Sequence, residues 1–552
     1  PVGALVNTDF KYTTNAWELQ KIPAACMHCG GGCQMTYEVK NDRIYRVTND
    51  FEHVTLCDSG RHAFDYANIN VTKDKKAFAD AIEAFESAKS IIFNSSISNE
   101  EAMILQRLKE KHGYKLISPS AKSYQDFLGA YSLITGTSLY GGDLKKISES
   151  QAVIVLGTKI NDDSSQVKYH INMASKWHRA RVAYMHPMED IELDTIVTQF
   201  IKYEVGSEEG VSALLVDTLL KDTPLPDNIR AILDDLDIGN LSAESNIGEE
   251  ELESLAKSLR KKRGFSLVVG SDLYAHPQAT NIAKLLALLE KYAGFNVVFV
   301  PPEGNTLGVS LICELDSVTE SPTVGYNAKA DFTLSALGDA KESSDGLDMP
   351  SFTQQEGTTT TINKRVVPSN VAVTYGGYTL NDIANALGLN AEYTIDYTEQ
   401  LPTEKGFSSV KFDDLPNHFD AVGNEFRGYL LTPTIVEVDE QIEEPEEMEE
   451  FDGAVVYNCN SNTIYTPINF VRQPEEKKGL LVGSQQFAIA TKLKDGDRVV
   501  FTLDGVEFSR LFKIDTSMKG TVALNPTYDI GLSATLLSSY RFSRLEFKKV
   551  GM

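Results

Sequence analysis

The residues best suited to chemistry in this sequence are four cysteines near its start. Cys26, Cys29, Cys33 and Cys57 all fall within residues 26–57, although the whole chain of 552 residues has only six cysteines. Four thiolates can close a tetrahedral zinc site or hold a 4Fe–4S cluster. Clustered cysteines in an otherwise cysteine-poor chain therefore predict a metal centre rather than disulfides.

The spacing of these cysteines favours iron–sulfur over zinc. Structural zinc sites usually combine two Cys-x2-Cys pairs, whereas this sequence has Cys-x2-Cys-x3-Cys and one distant fourth cysteine. Three cysteines in one tight loop can embrace three corners of a cube, and Gly30 to Gly32 would let the backbone approach the inorganic sulfides. Zinc is the alternative. We interpret His28 as a neighbour of the site or a surface residue, and Cys313 and Cys459 as ordinary buried thiols.

Short β-structure is expected to bring the fourth cysteine back to the other three. Met35 to Val39 and Arg43 to Val47 have the composition of strands, and Asn41-Asp42 supplies a turn between them. A hairpin there would return Cys57 to the first three sulfurs. Residues 21–75 are therefore predicted to form a 4Fe–4S lobe.

The remainder of the chain predicts a multidomain α/β protein. Uninterrupted apolar segments such as Ala152 to Leu156 alternate with amphipathic helices, which favours mostly parallel sheets covered on both faces. We expect two such α/β lobes in residues 76–430, with a boundary at about 205–265. Short strands and Asp-Gly turns predict a C-terminal β-barrel domain in residues 451–552.

Charge and hydropathy exclude some classes of function. Fifty-two Lys and Arg against 78 Asp and Glu give a formal net charge of −26. Such a field repels phosphate backbones, so no nucleic-acid partner is expected. No apolar run approaches the roughly 18 residues of a membrane helix.

The most acidic stretch of the chain has the composition of a linker. Nine of the fifteen residues from Val436 to Glu450 are acidic, and none is Lys or Arg. Self-repulsion and the scarcity of apolar residues predict a solvated linker at residues 431–450. A docking arm for a basic partner is the alternative.

The cysteine pattern and its continuation, Asp58 to Tyr66, resemble the cluster lobe of the molybdopterin oxidoreductase superfamily. Within that superfamily the chain most resembles the G subunits, the large iron–sulfur subunits, of the NADH-quinone oxidoreductases (bacterial respiratory complex I). Further similar stretches support the narrower match; they are Pro1 to Leu5, Asn305 to Gly308, Phe352 to Thr358, Asn363 to Val366 and Lys494 to Val499.

This resemblance implies a molybdopterin-oxidoreductase-like fold and one 4Fe–4S cluster with Cys26, Cys29, Cys33 and Cys57 as its iron ligands. It also implies an electron-transfer and scaffolding subunit in the peripheral arm of a proton-pumping NADH:quinone oxidoreductase. The expected partners are the other peripheral-arm subunits, at the cytoplasmic face of the bacterial inner membrane, with membrane contact only through the complex. Residues 1–20 would end a missing ferredoxin-like region that binds further clusters.

Departures from the catalytic members predict that this chain binds no molybdopterin and has no active site of its own. Ser59 occupies the position of their lysine, two residues after the fourth cysteine. Met188 and Glu189 replace the two arginines of their Asp-Pro-Arg-Arg-Thr motif, which removes donors for the phosphates of a pterin dinucleotide.

Two alternatives remain open. One of the serines in the stretch Leu116 to Ser123 could ligate molybdenum, which would make the chain a catalytic molybdopterin enzyme such as a formate dehydrogenase. The other alternative is a structural chain whose site is empty or filled with zinc.

Overall fold

The structure, a computed structural model, describes residues 8–50, 55–64, 71–336, 346–448, 453–460, 479–545 and 547–549. Pro1 to Leu5, one of the stretches that carry the family resemblance, lies outside these ranges. Residues 65–66, at the end of the Cys57 motif, also lie outside them.

The cysteine loop is the connection of a β-hairpin. The N-terminal elements are α1 (Thr8–Thr13), β1 (Gln20–Ala25), β2 (Gln34–Lys40), β3 (Arg43–Thr48) and α2 (Asp58–His62). The three strands form an antiparallel sheet in which Ala25 pairs with Gln34, so residues 26–33 join β1 to β2. Asn41 and Asp42, with φ of 50° and 59°, make the turn predicted between β2 and β3. Helix α2 packs on β3, which returns Cys57 to the loop.

Two parallel sheets and their helices form the α/β region. Its elements, in chain order, are α3 (Lys75–Ser87), β4 (Ser90–Phe93), α4 (Asn99–His112), β5 (Lys115–Ile117), α5 (Pro119–Thr135), α6 (Leu144–Glu149), β6 (Ala152–Leu156), α7 (Ile160–Asp163), α8 (Ser165–His178), β7 (Arg181–Met185), β8 (Gln199–Ile201), α9 (Glu208–Leu220), α10 (Asp227–Asp234), α11 (Ile238–Ser245), α12 (Glu249–Leu259), β9 (Phe265–Val269), α13 (Ala279–Ala293), β10 (Asn296–Phe299), α14 (Thr306–Ile312), β11 (Thr323–Tyr326), β12 (Phe332–Ser335) and β13 (Gly346–Asp348).

One sheet is inserted into the sequence of the other. The first has the strand order β13-β12-β11-β4-β5, and the inserted sheet has the order β10-β9-β6-β7-β8. The α/β architecture expected from the sequence is confirmed. The predicted boundary at 205–265 does not separate the lobes, because β6, before it, pairs directly with β9, after it. Helices α9 to α12 form the long connection from β8, at one edge of the inserted sheet, to β9, on the far side of β6 and β7.

The chain then forms small antiparallel sheets and a C-terminal domain. The elements are β14 (Gly357–Thr360), β15 (Arg365–Ser369), α15 (Leu380–Ala386), β16 (Asn417–Phe419), β17 (Glu425–Arg427), β18 (Tyr429–Leu430), β19 (Val455–Cys459), β20 (Leu480–Gly483), α16 (Gln485–Thr491), β21 (Arg498–Leu503), β22 (Val506–Ile514), β23 (Val522–Pro526), β24 (Phe542–Arg544) and β25 (Lys548–Lys549). In the part of the chain that is described, the C-terminal strands form one mixed sheet of order β24-β19-β23-β20-β22-β21-β25. The described strands run from β24 at one edge to β25 at the other and do not close into the predicted β-barrel.

The acidic stretch packs along the α/β region instead of forming a solvated linker. The Val436 N–H donates to the Gly136 carbonyl at 3.0 Å, and Ile442 is only 4% exposed. The Glu440 carboxylate pairs with the Lys291 ammonium. These contacts offset the self-repulsion from which a solvated linker was predicted, so residues 436–448 are a strap that leads to the C-terminal domain.

A large apolar core joins the two parallel sheets. Residues of both sheets and of α5, α9 and α13 contribute to it. Phe299, at the end of β10, packs against the rings of Tyr131 and Tyr140, with centroids 4.9 Å away in each case. None of the described helices combines the length and apolarity that crossing a membrane requires.

Candidate iron–sulfur site

The structure brings the four predicted cysteines together. Cys26, Cys29 and Cys33 lie on the β1–β2 loop, and Cys57 directly precedes α2. A Cβ placed on Gly31 would lie 3.5 Å from the Sγ atoms of both Cys29 and Cys33, so those two sulfurs are at most twice that distance apart. A Cβ placed on Gly60 of α2 would lie 3.4 Å from the Cys26 Sγ.

Burial and mutual repulsion disfavour thiolates in this group. Burial, followed by the charges of neighbouring cysteines, raises the pKa of Cys26 and of Cys33 well above the ordinary value. Burial, followed by the charge of Cys57, raises the pKa of Cys29 to about 11. Such thiols bind as thiolates only when a cationic group lies among them, so the donor set fits a cluster that supplies iron.

A single metal ion needs its ligands closer together than a 4Fe–4S cluster does, because all of them must reach the same atom. Among the described residues, no group of three or more His, Cys, Asp and Glu side chains is arranged to hold one metal ion. All six cysteines are free thiols, with Cys26 and Cys33 buried and Cys29 and Cys57 half-buried.

The glycines of the loop fit it against Pro301 of the α/β region and against Thr361, which follows β14. A Cβ on Gly30 would lie 2.4 Å from the Pro301 Cγ, and a Cβ on Gly32, whose φ is 55°, would lie 2.1 Å from the Thr361 Cγ2. Gly31 is the glycine that faces the sulfurs. Close approach of the backbone to inorganic sulfide is therefore consistent with Gly31, whereas Gly30 and Gly32 are required by packing.

A buried arginine that the sequence did not point to lies beside the loop. Arg427, at the end of β17, is 3% exposed, and its Nη1 donates to the Gly32 carbonyl at 3.0 Å. At Cys33 the Arg427 charge opposes the rise in pKa that burial and the neighbouring thiols cause. Arg427 is 395 residues from Gly32 in sequence, and no local motif announces the contact.

A cavity of about 240 Å³ opens beside the loop and reaches the C-terminal domain. Met27 and His28 line it, together with Ser120 and Ser123 from the stretch in which a serine ligand for molybdenum was considered. Burial lowers the pKa of His28 to about 4, so its ring is neutral at pH 7. The ring lies edge-on to Phe352, with centroids 6.4 Å apart.

Charged side chains line this cavity, or lie next to it, where it meets the inserted sheet. Open α/β sheets bind ligands outside the carboxyl ends of their strands. Asp163, on α7, follows β6, and Asp272 follows β9. Arg541 of the C-terminal domain donates from Nη1 and Nη2 to the two Asp163 carboxylate oxygens at 3.0 Å each, and its Nη1 lies 3.0 Å from an Asp272 oxygen.

The loop in which the sequence resemblance placed the arginine motif contacts the C-terminal domain. The His186 Nδ1 lies 3.0 Å from both the backbone nitrogen and the carbonyl oxygen of Met188, and its Nε2 lies 3.1 Å from an Asp272 oxygen. Met188 is buried in an apolar cluster with residues of the C-terminal sheet. Glu189 pairs with Lys519 of the same domain at 3.4 Å.

Comparison with known proteins supports the same family as the cysteine pattern. Residues 19–68 match the family model of the molybdopterin oxidoreductase Fe4S4 domain. The chain is 25% identical over 347 residues to the second NADH-quinone oxidoreductase G subunit of Rhizobium meliloti. The aligned segment covers 54% of this chain and 38% of that protein. The chain is 24% identical over 350 residues to the corresponding G subunit of Pseudomonas putida, with coverages of 56% and 38%. The predicted resemblance to the G subunits is confirmed.

Two further similarities broaden the comparison. The alpha subunit of the NADPH-Fe(3+) oxidoreductase of Geobacter sulfurreducens is 24% identical over 319 residues, or 50% of this chain and 36% of that protein. The chain thus spans less than two fifths of the length of each of these three relatives. Acetylene hydratase from Pelobacter acetylenicus superposes with a TM-score of 0.62 over 94% of this chain and 96% of that one, at 8% identity. At that identity the likeness shows the fold alone, which is that of a molybdopterin enzyme.

Proposed function

We propose that this chain is an iron–sulfur electron-transfer and scaffolding subunit in the peripheral arm of an NADH-quinone oxidoreductase, at the cytoplasmic face of the membrane. The convergence of Cys26, Cys29, Cys33 and Cys57 carries the proposal. A 4Fe–4S cluster bound there would supply one-electron transfer. The remaining subunits of the peripheral arm would be its partners.

The loop is built to hold its sulfurs in one geometry. The Cys26 N–H donates to the Cys33 carbonyl at 2.9 Å, and the Ile362 N–H donates to the Gly30 carbonyl at 2.7 Å. The close packing of Gly30 on Pro301 removes further freedom. A rigid thiol cage suits electron transfer, because the ligands then need not rearrange when the charge of the site changes.

The proposal includes no molybdopterin site in this chain, and charge and volume support that part of it. The Arg541 guanidinium is taken up by Asp163 and Asp272, so it is not available to the phosphates of a pterin dinucleotide. The cavity of about 240 Å³ is smaller than the roughly 300–1,000 Å³ of pockets for drug-sized ligands, and a pterin dinucleotide is at least of that size. Met188 and Glu189 hold the C-terminal domain instead of a ligand.

The relation to the Geobacter protein favours a second candidate. The same cluster site would then serve an enzyme whose electrons come from NADPH instead of NADH. Copurification of the tagged chain from its host distinguishes the two candidates. NADH:quinone activity in the isolated complex supports the first, whereas NADPH-dependent iron reduction without quinone activity supports the second.

Metal analysis and electron paramagnetic resonance (EPR) test the cluster and the absence of a pterin site. The full chain is produced anaerobically in cells that make molybdopterin and is then reduced with dithionite. We expect about four iron and four sulfide per chain, a 4Fe–4S signal, and neither molybdenum nor tungsten in stoichiometric amount. Stoichiometric molybdenum or tungsten with bound pterin would show that the chain has an active site. One zinc per chain and no signal would refute the cluster.

A further inference from the structure

We propose that Arg427 sets the reduction potential of the cluster by placing a buried positive charge beside the cysteine loop. This inference rests on the proposed function, because it requires a cluster at Cys26, Cys29, Cys33 and Cys57. Arg427 is not a ligand and comes from β17, far along the chain. It would act through the loop as a positioning and tuning residue.

The Arg427 side chain makes polar contacts at the loop and retains a free donor. Nη1 donates to the carbonyl of Gly32 at 3.0 Å, and Gly32 directly precedes Cys33. Nη2 is buried and has no hydrogen-bond partner among the described residues. An unpaired buried donor is unfavourable, and a negatively charged sulfur site next to it offsets that cost. The environment of the guanidinium is therefore suited to an anionic neighbour.

Three neighbours fix the position of Arg427. Its Nε donates to the Asn417 Oδ1 at 3.1 Å, and the Arg365 Nη1 donates to its carbonyl at 2.8 Å. Gly428, with φ of 51°, crosses β15 so closely that a Cβ there would lie 1.7 Å from the Val366 carbonyl oxygen. The backbone on both sides of Arg427 is thus held, and the side chain has one direction in which to point.

The sign of the effect follows from charge. Reduction adds one electron to a cluster, so a nearby cation favours the reduced form and a nearby anion disfavours it. Glu425 lies 3.3 Å from the Arg427 Nη1, and its side chain is 29% exposed, so it partly neutralises the guanidinium. Removing the Arg427 charge should lower the potential, and removing the Glu425 charge should raise it.

EPR-monitored redox titration of the full chain measures both shifts. In Arg427→Gln we expect the ratio of reduced to oxidised cluster at a fixed potential to fall about tenfold, which is 59 mV for a one-electron couple. Arg427→Lys keeps the charge and should restore most of the ratio. Glu425→Gln should raise the ratio above that of the wild type.

Arg61→Gln is the matched control, since it removes the same charge within the cluster lobe. The Arg61 guanidinium donates to the Val47 carbonyl at 3.2 Å and the Asn49 Oδ1 at 3.0 Å, on β3 and just after it. The ratio should change less in this variant than in Arg427→Gln. An equal change would refute a specific effect of Arg427.

The outcomes separate this inference from the proposed function. A wild-type chain without a 4Fe–4S signal refutes the function. A normal signal with unchanged potentials, or with shifts of the same sign in Arg427→Gln and Glu425→Gln, overturns the inference alone. If Arg427→Gln loses its iron, Glu425→Gln decides: a raised ratio supports the inference, and an unchanged ratio overturns it.

Discussion

Replacing Arg541 with alanine tests whether an ion-pair network holds the C-terminal domain over the cavity. Arg541 donates to both Asp163 oxygens at 3.0 Å and lies 3.0 Å from an Asp272 oxygen. The Asp272 side chain is fully buried, and those of Asp163 and Arg541 are 12% and 19% exposed. Arg541→Ala therefore leaves two carboxylates buried without their cation.

The expected loss of stability is large and depends on pH. Removing one partner of a buried ion pair costs about 3–5 kcal/mol. Burial acts to raise the pKa of Asp163, but the Arg541 charge and hydrogen bonds hold it below the ordinary value. In the wild type this carboxylate therefore stabilises the fold above its unfolded pKa, and the contribution is lost as pH falls through the lower folded pKa. Without Arg541, only Thr158 and His186 still oppose the effect of burial and the folded pKa rises, so the destabilisation should shrink between pH 7 and pH 5.

Hydrogen exchange measured by mass spectrometry on β19, residues Val455–Cys459, reports this loss. A cost of about 3–5 kcal/mol corresponds to amide exchange that is faster by roughly a hundred- to a few thousandfold. Asp163→Asn in the Arg541→Ala background should restore part of the protection against exchange, because it removes one of the two carboxylate charges that Arg541 no longer neutralises. Lys519→Ala, which breaks an exposed pair with Glu189, is the control and should change little. Exchange that is unchanged in Arg541→Ala, or faster at pH 5 than at pH 7 relative to the wild type, would refute the reasoning.

Two further substitutions, each with a control variant, test the cysteine site. Cys57→Ala should abolish the 4Fe–4S signal and leave hydrogen exchange in the C-terminal sheet unchanged, whereas Cys313→Ala should keep the signal; a signal that persists in Cys57→Ala contradicts the assignment of this ligand. Gly32→Ala, at φ 55° and with its Cβ 2.1 Å from Thr361, should destabilise the cluster lobe by about 1–3 kcal/mol in urea unfolding. Gly129→Ala, on α5 with nothing within 4 Å of the added Cβ, should stabilise by about 0.5–1 kcal/mol, so equal stabilities would contradict the packing argument.

Features of the molecule that depend on neighbouring residues could be predicted from the sequence. The β2–β3 hairpin follows from local strand composition and from Asn41-Asp42, and the cysteine spacing pointed to thiols that lie near one another in the fold. Features that depend on distant partners could not be predicted. The pairing of β6 with β9 across residues 205–265 carries no local signal. The strap at 436–448 looked solvated because its partners, such as Lys291, lie far away in sequence.

The site residues show the same division. Arg427 reaches Gly32 across 395 residues, and its own neighbours in sequence form an ordinary short hairpin. Its burial next to the thiols becomes visible only when β16 and β17 are placed against the cysteine loop. Sequence patterns identify ligands by spacing, whereas a charge that acts on a site from outside the ligand set is identified by its burial and contacts.

The two residues at which the sequence departs from the arginine motif, Met188 and Glu189, have a structural role in the fold. Met188 and Glu189 do not merely lack guanidinium groups; they contact the C-terminal domain, through apolar packing and through Lys519. Arg541 of that domain supplies a cation at the sheet edge, and the carboxylates of Asp163 and Asp272 neutralise its charge. Restoring arginine at position 188 would bury a new charge in an apolar cluster before it met any phosphate. Met188 and Glu189 therefore serve domain docking in this chain, and under the proposed function simple reversion of the motif would not create a site for a pterin dinucleotide.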